Sequence, residues 1–105
     1  MINYTVKISE EAQKSISDIF DYIKSSFCSP QSAAGQADRI VQAIGGLSIF
    51  PKRGKAVQHK KWQKHILRRI LVDNYTVFYT VVNTDVVILN VLYSRSDLDK
   101  LLEEI

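Results

Sequence analysis

Cysteine is almost missing from this 105-residue chain. Cys28 stands alone, so no disulfide framework exists, and a reducing compartment fits best. No apolar run approaches the ~20 residues of a membrane span. Met1-Ile2-Asn3-Tyr4 also lacks the basic-then-apolar pattern of a signal peptide, so a cytoplasmic protein without membrane contact is expected. The four glycines build no phosphate-cradling loop, and no nucleophile triad is visible. His59 and His65 lie six apart with no cysteine beside them, and the nearest acids are Asp38 and Asp73. That spacing does not make a metal site, and neither metal nor cofactor is expected.

Acid is missing from one stretch above all. Residues 52–69 hold eight Lys or Arg side chains, both histidines and no Asp or Glu. The whole chain is only +3, so the other residues carry six basic against eleven acidic side chains, a balance of −5. One basic surface on an acidic body implies a partner rich in phosphate or carboxylate. The run ends in Ile66-Leu67-Arg68-Arg69-Ile70-Leu71, the pattern of an ordered strand rather than a tail.

Hydrophobic residues make up 46% and charged residues 24%, ordinary values for a folded protein, and the length suits one domain over residues 1–105. Apolar and polar residues alternate over 4–8, predicting a strand. Ser9 then offers an N-cap, with Glu10 and Glu11 in the favoured first turn. Ala12, Ile16, Ile19, Phe20, Ile23 and Phe27 form the apolar stripe of a first helix. Ser29-Pro30 opens a second, whose stripe runs through Ala33, Ala37, Ile40, Val41, Ile44 and Leu47. Leu47 is still in phase, so Phe50-Pro51 is a better stop than Gly45-Gly46, and the helix is expected to reach about residue 49. Residues 52–64 read as a long basic connection with Gly54 in a turn. Strands follow over 66–72, 75–82 and 86–93, joined at Asp73-Asn74 and Asn83-Thr84-Asp85. A short helix over 97–105 places Leu98, Leu101, Leu102 and Ile105 on one side. The expected fold is α+β: an N-terminal strand, a two-helix hairpin, an antiparallel three-strand meander and a short C-terminal helix.

Several phrases, in this order, resemble the ParE/RelE superfamily of toxins from bacterial type II toxin–antitoxin systems. They include Tyr4-Thr5-Val6-Lys7-Ile8-Ser9, Asp18-Ile19-Phe20-Asp21-Tyr22-Ile23 and Phe50-Pro51-Lys52-Arg53-Gly54. Arg69-Ile70-Leu71-Val72-Asp73-Asn74-Tyr75 and Tyr93-Ser94-Arg95-Ser96-Asp97-Leu98 complete the likeness, which spans nearly the whole chain. RelE-type members are ribosome-dependent mRNA endoribonucleases, and the resemblance puts Arg69 and Arg95 where two of their cations lie. Where those members commonly carry an arginine this chain has Thr76, and no Tyr or His follows Arg95. The Phe-Pro-x-Arg-Gly phrase and the Arg-Ser-Asp-Leu ending are closer to ParE-type members, which poison DNA gyrase by binding and need no catalytic set.

The expectation is therefore a growth-inhibiting toxin that binds gyrase and is neutralised by a cognate acidic antitoxin in a hetero-oligomer. The alternatives are a RelE-type nuclease acting on ribosome and mRNA, or a degenerate, non-toxic antitoxin-binding subunit. Expected target contacts are Lys52, Arg53, Lys55, Arg69, Tyr93 and Arg95. Antitoxin contacts are expected at Arg68, Arg69, Leu98 and Leu101. If the chain is a nuclease, Arg69 and Arg95 hold the phosphate and His65 or His59 transfers the proton. Arg69 has a second role open to it, pairing with Asp73 or Asp97. Trp62 either stacks a base or anchors the loop, and Tyr75 and Tyr79 read as core.

Overall fold

The computed structural model of the chain describes residues 3–26, 30–58, 65–94 and 98–105. Phe27, Cys28, Ser29, His59, Lys60, Lys61, Trp62, Lys64, Arg95 and Asp97 lie outside the described residues. Strand β1 (Thr5–Ile8) leads into α1 (Glu10–Ser26) through Ser9. The Ser9 hydroxyl accepts from the Ala12 amide at 3.1 Å and donates to the Leu89 carbonyl at 3.0 Å. Such a cap stabilises a helix by about 1 kcal/mol. Here it also fastens the helix to the sheet.

Helix α2 (Pro30–Gly46) opens at Pro30 as expected but stops three residues short of the predicted end. Beyond Gly46 the backbone tightens: the Leu47, Ser48 and Ile49 amides donate to the carbonyls three residues back. Leu47 nevertheless reaches the core, which is why its phase was misleading.

The sheet has five strands in the order β1-β5-β4-β3-β2. Strands β3 (Leu67–Val72), β4 (Tyr75–Val82) and β5 (Asp85–Tyr93) form the expected antiparallel meander. Its two turns use positive φ at Asp73 (53°) and Asn83 (57°), as turn-tolerant residues allow. Two features depart from expectation. Strand β1 pairs with β5 in parallel, so the sheet is mixed. A short β2 (Lys55–Val57) pairs antiparallel with β3 inside the predicted connection. Three residues are too few to show alternation in sequence; the strand exists because β3 supplies its ladder. Between Phe78 and Tyr79 the β4–β5 register slips, leaving Leu89 as the extra residue of a bulge. Its carbonyl is the one the Ser9 hydroxyl satisfies.

One sheet face carries Ile70, Val72, Tyr75, Val77, Tyr79 and Ile88 under α1 and α2. The other carries Leu67 and Phe78, and α3 (Leu98–Leu102) lies on it through Leu101 and Leu102. Asn90 ties that end down by donating to the Glu104 carbonyl at 3.1 Å.

Asp73 joins the β3–β4 turn to α2: its carboxylate accepts from Arg39 Nε at 2.6 Å and from Gln36 Nε2 at 2.7 Å. The Arg39 hydrogen bond, opposed by burial, holds the Asp73 carboxyl below the usual aspartate range. A group depressed in the folded state contributes stability that is whole above about pH 4 and is lost as pH falls through its folded value. Asp73→Asn keeps the positive φ but removes the charge, so its stability should fall less steeply than the wild type's below about pH 4. Urea denaturation at pH 7 and pH 3 checks this; parallel acid limbs would exclude the linkage.

Candidate functional site

The basic loop between α2 and β2 is held from below. Tyr79 points from the middle of β4 toward α2's end, and its hydroxyl accepts from the Gly54 amide at 2.9 Å. Burial pushes this phenol above its usual range, so it is neutral near pH 7. Arg68 closes the arrangement by donating through Nη1 to the Gly54 carbonyl at 2.8 Å and the Lys52 carbonyl at 3.3 Å. Gly54 itself has no room for a side chain. A Cβ there would lie 2.5 Å from the Tyr79 hydroxyl and 2.7 Å from the Arg69 carbonyl. The loop's backbone is thereby fixed, and Lys52, Arg53 and Lys55 are left exposed around it.

Arg69 and Arg68 are neighbours in sequence but face opposite sides of the sheet. Arg68, half-buried, serves the loop from the helix-covered side. Arg69 lies on the other side, directly opposite Lys55 across the β2–β3 ladder and opposite Phe78 on β4. Two like charges in register destabilise a sheet unless an anion lies between or above them. The ion pairs among the described residues include Lys7–Asp85 and Arg39–Asp73, so Asp73 is engaged by Arg39 rather than by Arg69, while Asp97 lies outside the described residues. Arg53, Gly54, Lys55, Arg69, Ile70 and Leu71 line a cavity of about 320 Å³, with no acid among the described residues of its wall. Leu71, 64% exposed, adds an apolar lip.

His65 does not share that cavity. It lines a separate one of about 330 Å³ with Tyr4, Lys52, Ile66, Arg68 and Asn83. Tyr93 is also remote from Arg69 in orientation. It is in register with Tyr75 on the helix-covered face and packs edge-on against that ring, with centroids 5.7 Å apart. Thr76, where a nuclease arginine was sought, is buried and shares a 2.7 Å hydrogen bond with Ser94. Leu101 is only 2% exposed and packs in the core with Phe78. Leu98 is half-buried beside it, while Arg95 and His59 lie outside the described residues. From the residues alone Tyr79 has only a packing role. A glycine set among cations, opposite a tyrosine-rich strand, was the available signal for its second one.

Removing the Tyr79 hydroxyl leaves a buried amide without an acceptor, which costs about 1–3 kcal/mol. Tyr79→Phe should lose stability of that order in urea and speed hydrogen exchange at the Gly54 amide. Gly54→Ala should lose more, about 3 kcal/mol, because the Arg69 backbone cannot retreat without opening β3. Unchanged exchange at Gly54 in Tyr79→Phe would show that the hydroxyl does not hold the loop.

The family profile described as "ParE toxin of type II toxin-antitoxin system, parDE" matches residues 6–98. No curated protein matches the sequence. Among solved structures, the chromosomal ParDE system of P. aeruginosa superimposes with a TM-score of 0.71 at 14% identity, covering 90% of this chain and 100% of that one. The RelE–RelB complex of Pyrococcus horikoshii gives 0.61 at 17% identity, covering 90% and 99%. The RelBE2 toxin–antitoxin complex of Mycobacterium tuberculosis gives 0.57 at 25% identity, covering 89% and 100%. The first two likenesses speak to fold alone. The profile spans most of the chain, and with the strand–helix–helix–meander order it identifies the protein as a member of the ParE toxin family of type II toxin–antitoxin systems, within the ParE/RelE superfamily.

Proposed function

We propose that this toxin stops bacterial growth by binding DNA gyrase and trapping it on DNA, and that a cognate acidic antitoxin neutralises it. One observation carries the choice of binding over cutting: the in-register cations Lys55 and Arg69 share a cavity that His65 does not enter. Cleavage of RNA needs a phosphate-holding cation and a proton-transfer group within hydrogen-bond reach of one another's substrate atoms. Binding needs only the cations. Their mutual repulsion is relieved when carboxylate or phosphate arrives, so a negatively charged partner gains more than isolated surface lysines would offer.

The antitoxin follows from the same charge. The solved neighbours are toxin–antitoxin complexes, which supports a hetero-oligomer for this chain as well. An acidic segment laid over Arg69 and along the helical pair neutralises the loop and covers apolar side chains together.

Purified toxin should inhibit supercoiling by gyrase and leave mRNA on translating ribosomes intact. Lys55→Glu with Arg69→Glu should raise the concentration needed for inhibition by about tenfold or more, since rim charges govern encounter and register. Full supercoiling at saturating toxin, with transcripts cut on ribosomes and the cuts abolished by His65→Ala, would establish the nuclease instead. Normal growth on induction without antitoxin would mark a degenerate, non-toxic subunit.

A further inference from the structure

A second pocket adjoins the cationic one and differs from it in character. It has a volume of about 570 Å³ and is walled by Tyr4, Ile49, Phe50, Pro51, Lys52 and Arg53. The sequence explains its presence. Once α2 stops at Gly46, the tightened turn swings Ile49 and Phe50 out of the helical stripe, leaving them 50% and 66% exposed. Pro51, itself buried, restricts the Phe50 backbone to extended conformations. Two of the eight exposed large apolar side chains among the described residues, Ile49 and Phe50, lie together in this pocket. Adjacent exposed apolar side chains of this size mark an interaction surface.

Arg53 lines both this pocket and the Arg69 cavity, and Lys52 lines both this pocket and the His65 cavity. Among the described residues no acid lines any of the three. The surface is thus an apolar recess with cations only on its rim. The wall is mostly apolar, so an amino-acid side chain of the same character is desolvated on entering it, and the cations at its edge suit carboxylates flanking that side chain.

We infer that this recess is the anchor site for the antitoxin: one bulky apolar side chain of an acidic antitoxin segment fills the space against Ile49 and Phe50, while flanking carboxylates pair with Lys52 and Arg53. The assignment rests on the antitoxin partnership and not on the gyrase target. The anchor supplies affinity by burial, and the rim supplies register and speed of encounter. The two contributions separate by salt, because screening weakens exposed ion pairs and leaves apolar burial untouched.

The test uses labelled antitoxin, expressed from the reading frame adjoining the toxin's, titrated with full-length toxin variants and read by fluorescence anisotropy. Phe50→Ser should weaken binding at least about fivefold, or about 1 kcal/mol, more than most interface residues contribute, and the loss should persist at high salt. Phe50→Leu refills the recess and should restore most of the affinity. Lys52→Gln with Arg53→Gln should weaken binding at low salt and converge on wild type at high salt. Thermal melts confirm folding, which exposed Phe50 does not decide; its backbone bonds to Gly46 and Arg53 remain in every variant. A loss below about fivefold for Phe50→Ser, or a Phe50→Leu protein as weak as Phe50→Ser, overturns the assignment. Supercoiling assays contain no antitoxin, so a failed gyrase reading is seen separately.

Discussion

The Tyr79 hydroxyl reaches the Gly54 amide at 2.9 Å, and the cationic loop has its shape because of that contact. A tight glycine among lysines would otherwise be free to wander, and the charges on either side would move apart. Tyr79 is anchored in the most buried strand of the sheet, so the loop inherits the rigidity of the core. Arg68 reinforces the contact by spending its own guanidinium on two loop carbonyls. One arginine of the pair thereby holds the loop, while its neighbour faces the other side of the sheet opposite Lys55.

That division gives the surface its sign. Cations brought into register by a sheet are not equivalent to cations scattered on a flexible segment, because they cannot relax away from each other. The Lys55–Arg69 pair is set by β2–β3 hydrogen bonding, and β2 is set by the glycine that fits under Tyr79. Sequence, local backbone and surface potential are therefore one chain of cause. The apolar recess beside it has the same origin in local backbone, since an early helix stop turns two hydrophobic residues outward.

The long elements were legible in the residues because each has a strong period of its own. Ser9, the two helical stripes and the β-rich runs around Asp73 and Asn83 needed no tertiary information to be recognised. What escaped depends on partners distant in sequence. Strand β2 is defined by β3, and the parallel mate of β1 is found eighty residues on. The helix end was misjudged because Leu47 is buried from a turn as readily as from a helix. For the site, charge clustering identified the loop, but alternation along β3 could not say which face stayed open. Contacts distant in sequence decide it: Arg68 turns to the loop carbonyls, Arg69 stands opposite Lys55, and α3 packs Leu101 against Phe78.

The pairing of β1 with β5 also governs when the molecule comes into being. Val6 aligns with Val86 and Ile8 with Ile88, while the hydroxyl capping α1 rests on the Leu89 carbonyl. A chain emerging from the ribosome holds β1 unmatched until residues 85–88 have been made. Closing so long a loop comes late, and contacts of this separation slow folding. Synthesis of the polypeptide and assembly of its charged surface are consequently separate events, and in the interval between them a partner present at the exit tunnel meets a chain that has no finished sheet.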